Sequence, residues 1–228
     1  MSDNIPERYQ RTIGVLTQEE MNALHEKSVC IIGCGGLGGY ILEMLARLGV
    51  LNITVVDGDV FSESNLNRQI LCTEENIGEY KTDAAVRRIK KINSEVRIRS
   101  HKVFINDENA AWILRDHDVI IDALDNIPSR LLLEKYAETL KIPLIHGAIR
   151  GWFAQVAVVM PGDRTLEKLY HSGTRTQSPI PAPPFTPAFC ASLQVAQTVR
   201  LLCGNETLTG GRLLMADLSE NSFNVFTV

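Results

Sequence analysis

The feature that most limits how this chain can fold is a cluster of glycines wedged between an apolar run and an amphipathic one. From Ser28 the sequence reads SVCIIGCGGLGGYILEMLARLGVLNITVVDGD. Val29 to Ile32 is short and apolar, as a buried strand requires. Leu37, Ile41, Leu42, Leu45 and Leu48 then recur at spacings of three and four, which predicts a helix ended by Gly49. A second apolar run follows and ends in acid. This is a β-α-β unit whose two strands are expected to be parallel neighbours. In GCGGLG, Gly33, Gly35 and Gly38 hold the G-x-G-x-x-G positions, where missing side chains let a phosphate approach backbone N–H groups. Asp57 closes the second strand, near the spacing of about 20 residues at which an acid grips ribose hydroxyls. A dinucleotide enzyme would look the same to this point.

Further along, Lys81 to Asn93 has helical character, Val96 to Phe104 alternates like a strand, and Asn109 to His117 reads as a short helix. DVIIDALDN is another buried strand, Pro128 opens a helix reaching Leu140, and IPLIHGAI supplies the next parallel strand. FAQVAVVM reads as a strand as well. Gly162 to Pro187 is polar, proline-rich and without periodicity, so a long loop is expected there, with Thr186 capping the helix that carries Phe189, Leu193, Val195 and Leu201. RLLMADL and SFNVFTV resemble closing antiparallel strands. The expected fold is α/β, a doubly wound Rossmann-like, mainly parallel sheet with antiparallel C-terminal strands. A single domain over 1–228 is expected, with an N-terminal helical segment (1–27), a nucleotide-binding core (28–160), a crossover loop (161–186) and a C-terminal helix and strands (187–228).

Composition narrows the function classes. At 228 residues, with 45% hydrophobic and 22% charged residues, the chain suits one large globular domain. Its net charge of -4 provides no global field for nucleic acid or anionic lipid. No apolar run is long enough to cross a bilayer and MSDNIPERYQR is no signal segment, so a cytoplasmic location is expected. The five cysteines form no C-x-x-C pair, so neither a disulfide framework nor a zinc site is signalled.

DGDVFSESNLNRQ separates nucleotide chemistries. A nicotinamide site needs only its first acid, whereas this stretch adds Asp59, Asn65, Asn67, Arg68 and Gln69. A triphosphate about to lose pyrophosphate needs cations on its phosphates, and Arg68 with Lys81 could provide a fork and a point charge. Asp125, after the DVIIDALDN strand, could hold Mg2+, which usually keeps several waters and needs only one or two carboxylates. Each residue also has a plainer reading: Arg68 and Lys81 as solvated charges, Asp125 as a helix cap, Asp122 as structural. Their placement after successive parallel strands favours a shared site, because ligands in such sheets gather at the carboxyl ends of the strands.

Taken in order, GCGGLGG, VVDGDVFSESNLNRQ, IGEYKTDAA, DALDN and GAIRGWFAQV resemble the ThiF/MoeB/HesA family of the ubiquitin-activating superfamily, over nearly the whole chain. The resemblance implies an adenylation domain that binds Mg-ATP, on which the C-terminal carboxylate of a small ubiquitin-like sulfur carrier attacks the α-phosphate. It implies Gly36 at phosphate, Asp57 at ribose, Ser64, Asn65, Leu66, Asn67 and Arg68 at the nucleotide, Arg68 and Lys81 on phosphate charge, Asp125 on the metal and Asn126 beside the nucleotide. ERYQR matches the family's RY-x-R element, which implies a homodimer whose Arg11 reaches the partner's nucleotide; the plainer reading is a solvated arginine. Two C-x-x-C zinc pairs of many relatives are missing, so no zinc is expected. The loop cysteine of some relatives is missing from Gly162 to Pro187, which leaves an enzyme-bound thioester without its usual nucleophile and implies a separate sulfur donor. Cys190 is the best remaining thiol, near a helix N-terminus, although Phe189 and Leu193 beside it suggest core; Cys72 is read as buried, and His146 and His171 carry no role. Competing readings are activation of a modified tRNA nucleoside or a peptide, a non-catalytic nucleotide-binding subunit, and a NAD-dependent dehydrogenase that would leave SNLNRQ without a task.

Overall fold

The computed structural model describes residues 5–170 and 181–228. After a short 3-10 turn at Glu7–Tyr9, α1 (Gln18–Glu26) starts at Thr17, whose hydroxyl and the Glu20 carboxylate form a reciprocal capping box. Strand β1 (Ser28–Ile32), helix α2 (Gly38–Leu48) and strand β2 (Asn52–Val56) then form the expected unit, with Gly49 in the left-handed region (φ 89°) ending the helix. Next come α3 (Lys81–Ile92), β3 (Arg97–His101), α4 (Ala110–Leu114), β4 (Val119–Asp122), α5 (Ile127–Leu140) and β5 (Leu144–Arg150). The chain closes with β6 (Phe153–Val159), α6 (Thr165–Leu169), α7 (Phe185–Leu202), β7 (Arg212–Asp217) and β8 (Ser222–Thr227).

The eight strands form one sheet in the order β3-β2-β1-β4-β5-β6-β7-β8. Strands β1 to β5 are parallel, and β6, β7 and β8 add on antiparallel. Successive residues of a strand face opposite sides, so Val29 and Ile31 enter one core while Cys30 and Ile32 enter the other. Helix α2 packs with α3 and α7 over the first face, and α4, α5 and α6 cover the second. Both faces are therefore buried, which explains near-continuous apolar strands such as VCII and VIID. Because chain order reverses between β1 and β4, their carboxyl ends diverge and leave a crevice there.

Three sequence expectations change. The alternation through Phe104 ends as a strand at His101, where parallel pairing with Val56 stops, and residues 102 to 105 are outside the sheet. The expected loop 161–186 contains α6, because the buried Glu134 carboxylate accepts the amides of Leu166 (2.6 Å) and Glu167 (2.8 Å) and so caps a helix too short to hold alone. Helix α7 begins at Phe185, so Thr186 is no cap; its hydroxyl donates instead to the Gly151 carbonyl, 2.8 Å away. His171 lies outside the described residues.

Candidate active site

Gly33 leaves β1 with φ 102°, its amide donating to the Val56 carbonyl at 2.8 Å, and turns the chain into α2. A Cβ on Gly33 would stand 2.6 Å from the Ala123 carbonyl oxygen, and one on Gly38 would stand 1.8 Å from the Gly33 oxygen. Only glycine lets the turn, the helix start and the end of β4 come together here. Around the turn opens a cleft of about 430 Å³ at the carboxyl ends of the strands. Gly33, Gly35 and Gly36 line it, together with Asp57, Asp59, Arg68, Gln69, Lys81, Asp125 and Asn126.

Asp57 is held as an acceptor. Its Oδ2 receives the Cys34 amide at 2.7 Å and its Oδ1 the Asp59 amide at 2.8 Å. Burial raises its pKa above the ordinary carboxylate value, and Lys81 and the two amides act against that rise. Lys81, on the first turn of α3, is buried along its stem; its Nζ lies 3.0 Å from Asp59 Oδ2 and its amide donates to the Asp59 carbonyl. Arg68 Nη1 donates to the Ser64 carbonyl and to Asn67 Oδ1, both at 2.9 Å, which fixes the guanidinium beside the cleft. Gln69 is buried under Gly35, and its Oε1 has no hydrogen-bond partner among the described residues, a cost that a donor arriving at the turn would relieve. Asp125 is exposed and, among the described residues, receives only a long 3.5 Å contact from Asn126 Nδ2, so its oxygens are open to a hard cation. The cap of α5 is Asn126, whose Oδ1 accepts the Ser129 amide at 2.9 Å, so Asp125 is not needed for that task. Glycine amides, two cations, an acceptor carboxylate and an open acid together suit a magnesium nucleotide.

Other residues of SNLNRQ stand outside the cleft. Asn65 is buried with its Oδ1 on the Ser62 amide, Ser64 Oγ contacts Ser62 Oγ at 3.0 Å, and Leu66 faces outward. Asn67 Nδ2 instead reaches the carbonyl of Ala182, a residue that does line the cleft. Arg11 is exposed and is not part of the cleft of its own chain. Conversely, Val103, Phe104, Ile105 and Arg130 line the cleft without having been expected there. Phe104 lies over Gly58, where a Cβ would meet its ring at 2.7 Å; the glycine in DGD was the one available signal.

A family model described as the ThiF family matches residues 9–228. The chain belongs to the ThiF family. It is similar to the sulfur carrier protein adenylyltransferase of Thermus thermophilus, 36% identical over 97% of this chain and 87% of that protein. It is also similar to the adenylyltransferase and sulfurtransferase MOCS3 of Culex quinquefasciatus, 32% identical over 98% of this chain, although it spans only 53% of that protein's length. The SAMP-activating enzyme E1 of Haloferax volcanii is 28% identical over 95% of this chain and 83% of its own. Among solved structures, E. coli MccB with MccA-N7isoASN shares the fold with a TM-score of 0.85 at 21% identity, covering 99% of this chain and 72% of that one.

In this ThiF-family chain the five cysteines are unpaired. Cys190 is fully buried, its Sγ near the carbonyls of Gln155 (3.6 Å) and Ala148 (3.7 Å), and burial pushes its thiol up to about 12. Such a thiol is protonated at neutral pH and poorly nucleophilic. Treatment of the folded protein with iodoacetamide is expected to leave Cys190 unmodified by mass spectrometry until denaturant is added; labelling under native conditions would reopen a covalent role. Cys72 is also buried, and burial raises its thiol too.

Proposed function

We propose that this protein is an ATP-dependent adenylyltransferase that activates the C-terminal carboxylate of a ubiquitin-like sulfur carrier. The observation that carries the reading is the meeting of Arg68, Lys81, the glycine turn and the open Asp125 in one cleft at the carboxyl ends of β1, β2 and β4. The names of the Thermus and Haloferax relatives, a sulfur carrier protein adenylyltransferase and a SAMP-activating enzyme, support the choice of substrate. A carboxylate oxygen of the carrier attacks the α-phosphorus, the bond from that phosphorus to the β-phosphate bridge breaks, and pyrophosphate leaves with the electron pair. The nucleophile is already ionised, so no base is required; the chain's task is alignment and charge neutralisation. Gly35 and Gly36 give phosphate access to the backbone, Asp57 accepts ribose hydroxyls, and Arg68 and Lys81 offset charge that grows on the departing phosphates. Asp125, together with water, would hold Mg2+, which would supply further charge neutralisation.

We further infer a cytoplasmic homodimer in which Arg11 serves the partner's cleft, and a separate sulfur donor that consumes the acyl adenylate, since the buried Cys190 supports no thioester on this chain. Among the described residues no helix is long and apolar enough to cross a membrane. The deciding measurement is exchange of labelled pyrophosphate into ATP with a panel of carriers. Exchange is expected only with a carrier ending in a free carboxylate, and should vanish when that terminus is amidated. Exchange supported by a peptide or a modified nucleoside without any carrier would overturn the substrate assignment.

A further inference from the structure

Behind the cleft, the buried face between β4, β5, α5 and α6 holds a polar chain that the adenylation chemistry does not use. His146 Nδ1 is 2.7 Å from Asp122 Oδ2, and both side chains are fully buried. The Nδ1–H therefore donates to the carboxylate, and Nε2 is left as an acceptor. Tyr170 Oη stands 3.1 Å from that Nε2. The same hydroxyl receives Gln155 Nε2 at 2.6 Å and Arg130 Nη1 at 3.3 Å, so its one proton points to His146. Arg130, buried and lining the cleft, completes a ring: its Nε forms a 3.5 Å ion pair with Asp122 Oδ2, too long to count as a hydrogen bond.

Two arms of this ring end on the backbone of one cleft residue, Leu124. Asp122 Oδ1 accepts the Leu124 amide at 2.9 Å, and Arg130 Nη2 donates to the Leu124 carbonyl at 2.6 Å. Leu124 is thereby gripped at both its backbone groups, immediately before the exposed Asp125, while Asn126 fixes the other side by capping α5. Among the described residues Asp125 makes no hydrogen bond shorter than 3.5 Å, so its position comes from its neighbours. We propose that Tyr170 and Arg130 are positioning residues: through the Tyr170–His146–Asp122–Arg130 ring they hold the Leu124–Asn126 loop, and hence the Asp125 carboxylate, in the place from which it engages the metal of a magnesium nucleotide. The metal clause rests on the proposed function; the grip on the loop does not. Burial lowers the His146 pKa and raises the Tyr170 phenol to about 12, which keeps both neutral in the donor pattern described.

Tyr170→Phe isolates the effect, because Gln155 Nε2 is also 3.1 Å from His146 Nε2 and can serve it, whereas Arg130 Nη1 loses its acceptor. Hydrogen–deuterium exchange of the nucleotide-free protein is expected to show the Leu124–Asn126 loop exchanging about fivefold faster, the scale of one lost hydrogen bond. Tyr136→Phe, which removes a hydroxyl from helix α5, the helix that carries Arg130, at its contact with Asp107, should leave the loop unchanged. Calorimetry with Mg-ATP should show about fivefold weaker binding by Tyr170→Phe in the parent, and no further weakening when Asp125→Ala is already present. Unchanged exchange at the loop overturns the inference. Equal weakening in both backgrounds overturns the link to Asp125. A parent protein that binds no Mg-ATP would sink the adenylation reading, and the exchange measurement would still decide the loop.

Discussion

Arg68→Ala is expected to lower kcat/KM for carrier-dependent adenylation about 100-fold or more, the scale found when one preorganised charge donor is removed from a developing anion. The geometry explains why so much should depend on one side chain. Nη1 is engaged by the Ser64 carbonyl and Asn67 Oδ1, which immobilises the guanidinium before any ligand arrives, and the remaining donors of the planar fork can address phosphate without reorganising. Arg68→Lys is expected to recover little, since a single ammonium cannot bond the loop and the phosphates together. Folding should be indifferent, because Arg68 is half-exposed and its hydrogen bonds among the described residues stay within its own loop. Thermal melting of the nucleotide-free variant should therefore match the parent, while steady-state rates separate binding from chemistry. Turnover within threefold of the parent would remove Arg68 from the machinery.

How much of this could be read in the sequence depends on how local each signal is. The unit β1-α2-β2 was legible because its apolar period, its glycine turn and its terminal Asp57 are consecutive in the chain. The opening of α5 near Pro128 and the antiparallel strands β7 and β8 were legible for the same reason, whereas β6 was legible as a strand without its direction. SNLNRQ was legible as a polar cluster but not residue by residue. Asn65 has a short amide side chain that closes on its own turn, so half of the motif builds the loop that presents Arg68 and Gln69. What escaped depends on contacts distant in sequence. Helix α6 exists because Glu134, 32 residues before Leu166, caps it. Arg130 reads as one more charge on an amphipathic helix until β4 and β5 bring Asp122 and His146 behind it. Phe104 enters the cleft only because β3 stops at His101, and nothing in the alternation marks that stop.

Gly38→Ala is expected to destabilise the protein by about 3 kcal/mol or more, at or above the upper end of what overpacking usually costs. The added Cβ would fall 1.8 Å from the Gly33 oxygen and 2.8 Å from its carbonyl carbon, backbone atoms that cannot swing aside as a side chain would. Gly33 cannot yield, since its amide is bonded to Val56, its φ of 102° is confined to glycine in practice, and the Ala123 carbonyl closes its other side. The first turn of α2 would have to lift from β1, opening the core around Leu37 and Ile41. For a domain of this size the loss corresponds to a fall in Tm of roughly 6–12 °C. Gly36→Ala is the informative contrast: its Cβ would meet Pro187 at 3.5 Å and Arg68 at 3.8 Å, ordinary contacts, so its Tm should hold while Mg-ATP binding weakens as a methyl group enters the cleft. If Gly38→Ala melts with the parent and Gly36→Ala binds nucleotide as tightly, the glycine turn neither packs the helix onto the strand nor admits phosphate, and the cleft loses the floor on which Arg68, Lys81 and Asp125 converge.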